Sequence, residues 1–187
     1  ELLYQVAALP GLERLRFVTP HPKDLAPEVI RAFAELPNLC PRLHLPLQSG
    51  SDRVLKRMGR KYDIAKYLGL VEALRTSRPD IVLSTDIIVG FPGETEADFQ
   101  DTLRVMREAD FATSFSFCYS DRPGTTAAKF TDKIDENTKA ERLSRLQSWQ
   151  MQRTSEILES MVGRKTDILL ESKSRMPSGA EFSWQGR

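Results

Sequence analysis

The stretch "IVLSTDIIVGFPGETEADF", residues 81–99, decides the fold. It begins as an apolar run long enough for a buried strand, breaks at Gly90-Phe91-Pro92-Gly93-Glu94, and resumes with Thr95 placed three residues before Asp98, close to a helix-capping box. The spacing predicts a strand over 81–90 and a helix over 95–110. Working outward, "TSFSFCYS" (113–120) reads as the next strand and "DIAKYLGLVEALRTSR" (63–78) as the preceding helix. Ser51 or Asp52 opens a short basic helix after the strand "RLHLPLQ" (42–48). Further upstream, "DLAPEVIRAFAEL" (24–36) reads as a helix that Asp24 can cap, and "ERLRFVT" (13–19) as a strand. Strands and helices alternating at this spacing predict an α/β fold with a parallel sheet.

Downstream the rhythm changes. A polar loop leads to a long charged amphipathic helix over about 136–161, stopped by Gly163, and "KTDILLE" (165–171) reads as a strand that opens a new unit. The expected organisation is one domain over 1–162 and the truncated start of a second over 163–187.

Composition excludes some classes and leaves others open. With 40% hydrophobic and 28% charged residues among 187, the chain can bury a core of soluble type. It has no apolar run of membrane-spanning length and no basic leader, so a cytoplasmic location is expected. A net charge of +1 does not by itself point to nucleic acid. Cys40 and Cys118 stand far apart, without neighbours at metal-ligand spacing, and read as buried thiols. The chain opens on Glu1 in what reads as mid-helix, so a fragment is expected.

In a parallel sheet the ligand site lies at the C-terminal ends of the strands. Those ends carry Thr19-Pro20-His21-Pro22, Gln48-Ser49-Gly50-Ser51, Gly90 to Glu94, and Tyr119 to Thr125. Glycine permits close backbone approach, proline fixes the turn, and the polar groups supply directional hydrogen bonds. Each such loop alone is often only a turn; four in succession argue for a site. Gln48 could instead cap the following helix. Asp86 stands inside an apolar strand, where a carboxylate needs a partner, so a bond to a neighbouring strand and a ligand role weigh equally. His21 lies at a strand end and is a site candidate, whereas His44, mid-strand, reads as a satisfied core histidine. Arg122 is by default solvated, but its loop adjoins the others. In "RVLKRMGRKYD" (53–63), Arg57, Arg60 and Lys61 form either a solvated helix face or a rim that steers an anion.

The segments "RLRFVTPHPKDL", "LHLPLQSGSDRVLKRMGRKY", "STDIIVGFPGETEADF" and "YSDRPGTTAA" resemble, in order and spacing, the radical S-adenosylmethionine methylthiotransferases. The resemblance is closest to the branch that modifies an isopentenylated adenosine beside the tRNA anticodon. The branch acting on threonylcarbamoyl-adenosine is the nearest competitor, and the branch acting on a ribosomal-protein aspartate differs more. The resemblance implies the later part of a partial (β/α) barrel, then the start of a small RNA-binding β domain called TRAM. It implies S-adenosylmethionine held by Gln48, Ser49, Asp86, Gly90, Phe91, Pro92, Gly93 and Glu94, with substrate contacts at His21 and Arg122. It also implies 4Fe-4S clusters whose CxxxCxxC ligands lie upstream of residue 1, so that this piece by itself holds no cluster and is inactive. A tRNA is then the partner of the whole protein, and an open barrel flank predicts self-association. Outside the family, a phosphate-binding metabolic barrel would need a catalytic lysine or acid pair at the strand ends. A noncatalytic RNA-binding module would need a dominant basic surface.

Overall fold

The structure is a computed structural model and describes residues 1–18, 21–173 and 184–186. Its elements are α1 (Leu2–Ala7), α2 (Pro27–Glu35), β1 (Arg42–His44), α3 (Asp52–Arg57), α4 (Ile64–Ser77), β2 (Val82–Val89), α5 (Glu96–Ala109), β3 (Thr113–Cys118), α6 (Glu136–Ser160), β4 (Leu170–Lys173) and β5 (Trp184–Gly186), with 3-10 turns at Pro22–Asp24 and Ala127–Lys129. The chain divides into two compact units, Glu1–Ser155 and Glu156–Arg187.

The first unit is built on a parallel sheet in the order β1-β2-β3. The expected alternation of strand and helix is therefore present, with all three strands pointing the same way. The period-2 pattern of β2 sorts its faces: Leu83, Thr85, Ile87 and Val89 are buried, whereas Val82 is exposed and Asp86 and Ile88 are half-buried. Behind the buried face lie Tyr67, Val71 and Leu74 of α4 and Phe99, Leu103 and Met106 of α5, all in one apolar cluster with Phe33 and Leu43. Tyr67 is fully buried and satisfies its hydroxyl by donating to Leu45 O at 2.6 Å. The opposite face carries His44, Asp86, Phe115 and Phe117, the two phenylalanines being more than half exposed.

Several expectations shift at their edges for local reasons. Of the strand expected over 13–19, residues 13–18 are described and do not form one: Leu15 makes a single parallel bridge to Leu39, with Leu15 N donating to Asn38 O and Cys40 N to Leu15 O. The helix expected over 24–36 starts at Pro27, because proline holds the residue before it in extended backbone; Ala26 is the N-cap, and Asp24 ends a 3-10 turn instead of capping. Ser51 caps α3 through Val54 N, and Asp52 reaches across to Ile64 N at 2.7 Å, at the start of α4. Thr95 and Asp98 form a complete capping box on α5. The strand expected at 165–171 lies at Leu170–Lys173 and pairs antiparallel with β5 in the second unit. Both cysteines are free and only half-buried, a correction to the buried thiols expected.

Candidate functional site

The segment 42–48 is a strand for only three residues, because Pro46 has no N–H to continue the ladder. Thr85 fills the gap from the neighbouring strand: its Oγ1 accepts from Leu47 N at 2.8 Å and donates to Leu45 O at 2.9 Å. Pairing resumes one register position out of step, with Gln48 bridged to Ile87. Gln48 takes up the mismatch with φ +70°, a left-handed conformation that costs a residue with a Cβ about 1–2 kcal/mol. It is buried, and its amide makes no side-chain hydrogen bond among the described residues. Strain of this kind at the tip of a strand, on a residue whose amide has no partner among the described residues, makes Gln48 a candidate site position.

The loop after β1 is fastened to the loop after β2 by Asp98. Ser51 Oγ donates to its carboxylate at 2.6 Å, Arg53 pairs with it, and Thr95 N adds a bond at 2.8 Å. Arg53 Nη2 also donates to Gly93 O at 2.6 Å. Burial alone would raise the Asp98 carboxyl, but the bonds from Arg53, Ser51 and Thr95 outweigh it and hold the group well below the usual carboxylate range. Gly50 lies so close to α5 that a Cβ would stand 2.4 Å from Thr102 Cα, and its N–H donates to Thr102 Oγ1. This glycine serves the packing of loop on helix.

The turn Gly90 to Glu94 is closed from the side of α6. Glu94 Oε1 accepts from Gly90 N at 2.9 Å and from Arg142 at 2.8 Å. Burial pushes the Glu94 carboxyl up, against the pull of Gly90 N–H and Arg142. A Cβ on Gly90 would stand 2.4 Å from Lys139 Cγ, and one on Gly93 2.4 Å from Asp132 Oδ2. The two glycines, both at positive φ, therefore admit the chain's own Lys139 and Asp132. Phe91 and Pro92 are buried, and the Phe91 ring sits edge-on to Tyr119 at 5.1 Å and to Phe130 at 6.3 Å. Arg57 caps this aromatic group, 4.6 Å above the Phe130 ring and bonded to both oxygens of Asp132 at 2.9 Å.

These contacts bring the candidate loops to one end of the sheet. The loop that follows Gln48 and Ser49 is linked to the turn Gly90 to Glu94 through Ser51 and Arg53 on Asp98 and Arg53 on Gly93 O, and the end of β3 is linked through Phe91 and through Lys139 Nζ on Tyr119 O at 3.2 Å. His21 joins through Tyr62: the rings meet edge-on at 5.2 Å, and Tyr62 donates to Leu47 O at 2.8 Å. Burial, with Arg60 nearby, lowers the His21 imidazole from its ordinary value, and burial pushes the Tyr62 hydroxyl up to about 12. Thr19 and Pro20 lie outside the described residues. Ser49 is fully buried and its Oγ accepts from Ser51 N, a turn-closing bond. Arg122 is exposed on the loop after β3, and its carbonyl, not its guanidinium, takes the Thr125 bonds.

Asp86 has the partner its carboxylate required. His44 Nε2 on β1 lies 3.2 Å from Asp86 Oδ2, and His44 Nδ1 lies 3.1 Å from Ser84 Oγ. His44 is thus no core histidine; it stands half-buried on the open face of the sheet. Sequence reading also missed Asp98, Lys139 and Arg142. The three-residue spacing of Lys139 and Arg142 put both on one face of α6, a signal that was available.

Comparison with known proteins agrees with this architecture. The family model described as the radical SAM superfamily matches residues 1–106. The chain is 64% identical over all 187 residues to the tRNA-2-methylthio-N6-dimethylallyladenosine synthase of Nitratidesulfovibrio vulgaris Hildenborough, of which it spans 42%. It is 53% identical over 186 residues to the protein of that name from Lawsonia intracellularis, of which it spans 41%. The chain thus covers about two-fifths of the length of these curated relatives. Among solved structures, the coproporphyrinogen III oxidase of Escherichia coli, described as a radical SAM enzyme, superposes with a TM-score of 0.61 at 20% identity, over 75% of this chain and 32% of that one, a likeness of fold alone. With more than half its residues in the family match, the chain belongs to the radical SAM superfamily.

Proposed function

We propose that this chain is part of a methylthiotransferase that places a methylthio group on C2 of N6-isopentenyladenosine beside the tRNA anticodon. The observation that carries the reading is the 64% identity along the whole chain to a curated synthase of that modification. In this reading residues 1–162 are the later part of the radical SAM barrel, and residues 163–187 begin an RNA-binding TRAM domain, supported by the antiparallel pair β4 and β5. The protein works in the cytoplasm, where its tRNA is. No helix among the described residues is long and apolar enough to cross a membrane. The exposed Phe115 and Phe117 support self-association of this piece through the open face.

The strand-end residues suit S-adenosylmethionine. Gln48, itself mostly buried, offers an amide without a partner among the described residues, Asp86 a half-exposed carboxylate, and the turn Gly90 to Glu94 a wall built on the Phe91 ring. Gln48 and Asp86 would take the ribose side, with the buried Ser49 shaping the turn behind them, and Gly90, Phe91, Pro92, Gly93 and Glu94 the adenine side; in the latter, Glu94 acts by closing the turn. His21 and Arg122 would meet the tRNA. Among the described residues there is no group of three or more His, Cys, Asp or Glu that could hold a metal ion, and these residues do not fit a 4Fe-4S cluster. The reading assigns the cluster thiolates to sequence upstream of Glu1, and residues 1–187 alone are then inactive. When bound, S-adenosylmethionine would supply, on one-electron reduction by the cluster with release of methionine, the radical chemistry that removes an unactivated hydrogen, while the residues of this chain would orient the nucleoside and exclude water.

The test is expression of the gene carrying this sequence in a bacterial strain that lacks the methylthio modification, followed by mass spectrometry of its tRNA nucleosides. The methylthio derivative of isopentenyladenosine is expected. The derivative of threonylcarbamoyl-adenosine would correct the substrate, and its absence in both nucleosides, with soluble protein present, would reject the reading.

A further inference from the structure

We infer that His44 is a positioning residue that aims Asp86 at the bound nucleoside, an inference that rests on the proposed function of the strand-end site. The parallel register sets His44 beside Ser84, so that Asp86, two residues farther along β2, lies diagonally across the same open face. The imidazole bridges the two: Nδ1 is 3.1 Å from Ser84 Oγ and Nε2 is 3.2 Å from Asp86 Oδ2. A carboxylate only accepts, so the neutral ring must carry its proton on Nε2, which leaves Nδ1 to accept from the Ser84 hydroxyl. Phe115 on β3, directly opposite Asp86, meets the His44 ring edge-on at 6.0 Å and limits its rotation.

The arrangement spends one carboxylate oxygen and leaves the other. Oδ1 of Asp86 has no hydrogen-bond partner among the described residues, and the side chain is 32% exposed, against 24% for His44. Asp86 stands one residue before Ile87, the bridge partner of strained Gln48. A free, partly exposed carboxylate oxygen at this strand end fits a ribose hydroxyl, which can donate to it. Without His44 the carboxylate could rotate about two torsions, and binding would have to freeze that motion. His44 touches neither the reacting atoms nor the ligand; it acts through Asp86.

The test uses the full-length protein that carries this chain, with S-adenosylhomocysteine as the unreactive probe, titrated by calorimetry after urea unfolding has shown each variant to be folded. His44→Ala and Asp86→Asn should each weaken binding by about tenfold, as expected for loss of a bond to a charged group. The double variant should be no weaker than Asp86→Asn, and His44→Gln, which can return an N–H to the Nε2 position, should recover most of the loss. Nitrogen NMR should show His44 protonated on Nε2, with that signature lost in Asp86→Asn and displaced on adding the probe. Wild-type binding by folded His44→Ala, or losses that add in the double variant, would overturn the inference. Should the wild-type protein not bind the probe, the nucleoside reading of the site fails; an imidazole signature unchanged by Asp86→Asn would then overturn the positioning role as well, and a changed one would uphold the geometry on which it rests.

Discussion

Arg142 of α6 and Glu94 of the turn after β2 are joined at 2.8 Å with their side chains 7% and 1% exposed, so a helix more than forty residues downstream closes the most sharply turned strand end. Replacing Arg142 by methionine leaves a buried carboxylate without its counter-charge, and a loss of about 3–5 kcal/mol is expected. Glu94→Gln keeps an acceptor for Gly90 N and should cost less. Urea unfolding of the two variants at neutral pH ranks them, and equal losses would contradict the account.

The pH dependence of stability should carry opposite signs from two carboxylates. Asp98 is held below the usual range in the folded chain, so its contribution is complete above the unfolded value of about 3.9 and is lost as pH falls. Glu94 is shifted up, so its contribution is present below its unfolded value of about 4.3 and is lost as pH rises through the folded one. Urea midpoints between pH 2 and 6 should therefore fall less steeply toward acid in Asp98→Asn than in wild type. In Glu94→Gln, relative to wild type, the midpoint should improve as pH rises.

Gln48→Gly separates stability from binding. Glycine relieves the left-handed strain at φ +70°, offset in part by its greater freedom when unfolded, and a net gain of up to about 1 kcal/mol is expected. The same change removes the uncommitted amide, and binding of S-adenosylhomocysteine should weaken. A variant that is both stabler and a wild-type binder would remove Gln48 from the site.

Gly50 and Gly124 differ in what a side chain would meet. Alanine at Gly50 places its Cβ against backbone atoms of Thr102 and Asp101, at 2.4 and 2.7 Å, which cannot yield independently; a loss of about 3 kcal/mol is expected. At Gly124 nothing lies within 4 Å, so the cost is only that of φ +83°, about 1 kcal/mol. Thermal unfolding of the two alanine variants checks the order.

The open face should drive association of this piece. Phe115 and Phe117 are 56% and 55% exposed on one side of β3, and their joint replacement by serine should reduce concentration-dependent association in sedimentation velocity. Unchanged association would move the contact elsewhere.

Local chemistry made much of this legible in the amino-acid sequence. The strand over 82–89, the Thr95-Asp98 box, the start of α4 at Asp63 and the stop at Gly163 each follow from neighbours within a few positions. The parallel arrangement followed from the alternation of strands and helices. The segment 13–19 misled because its alternation is real but only Leu15 finds a partner within the described residues, and pairing is a property of two segments. The need of Asp86 for a partner was legible from its place in an apolar strand; that the partner is His44 was not, since the two are forty-two residues apart and meet only through the register of β1 on β2.

What the sequence by itself determined is the succession of helices and strands from α3 to α6 and their limits to within a residue or two, because capping, proline geometry and hydrophobic period act over a turn or two of chain. Only the tertiary structure decided which groups are spent and which remain available. It turned Glu94 onto Arg142, drew Asp98 toward Ser51 and Arg53, filled the space beside Gly90 with Lys139, and left the Gln48 amide and one oxygen of Asp86 open. A side chain's availability depends on which distant atoms satisfy it, and that is fixed only when sheet register and helix packing bring those atoms within hydrogen-bond reach.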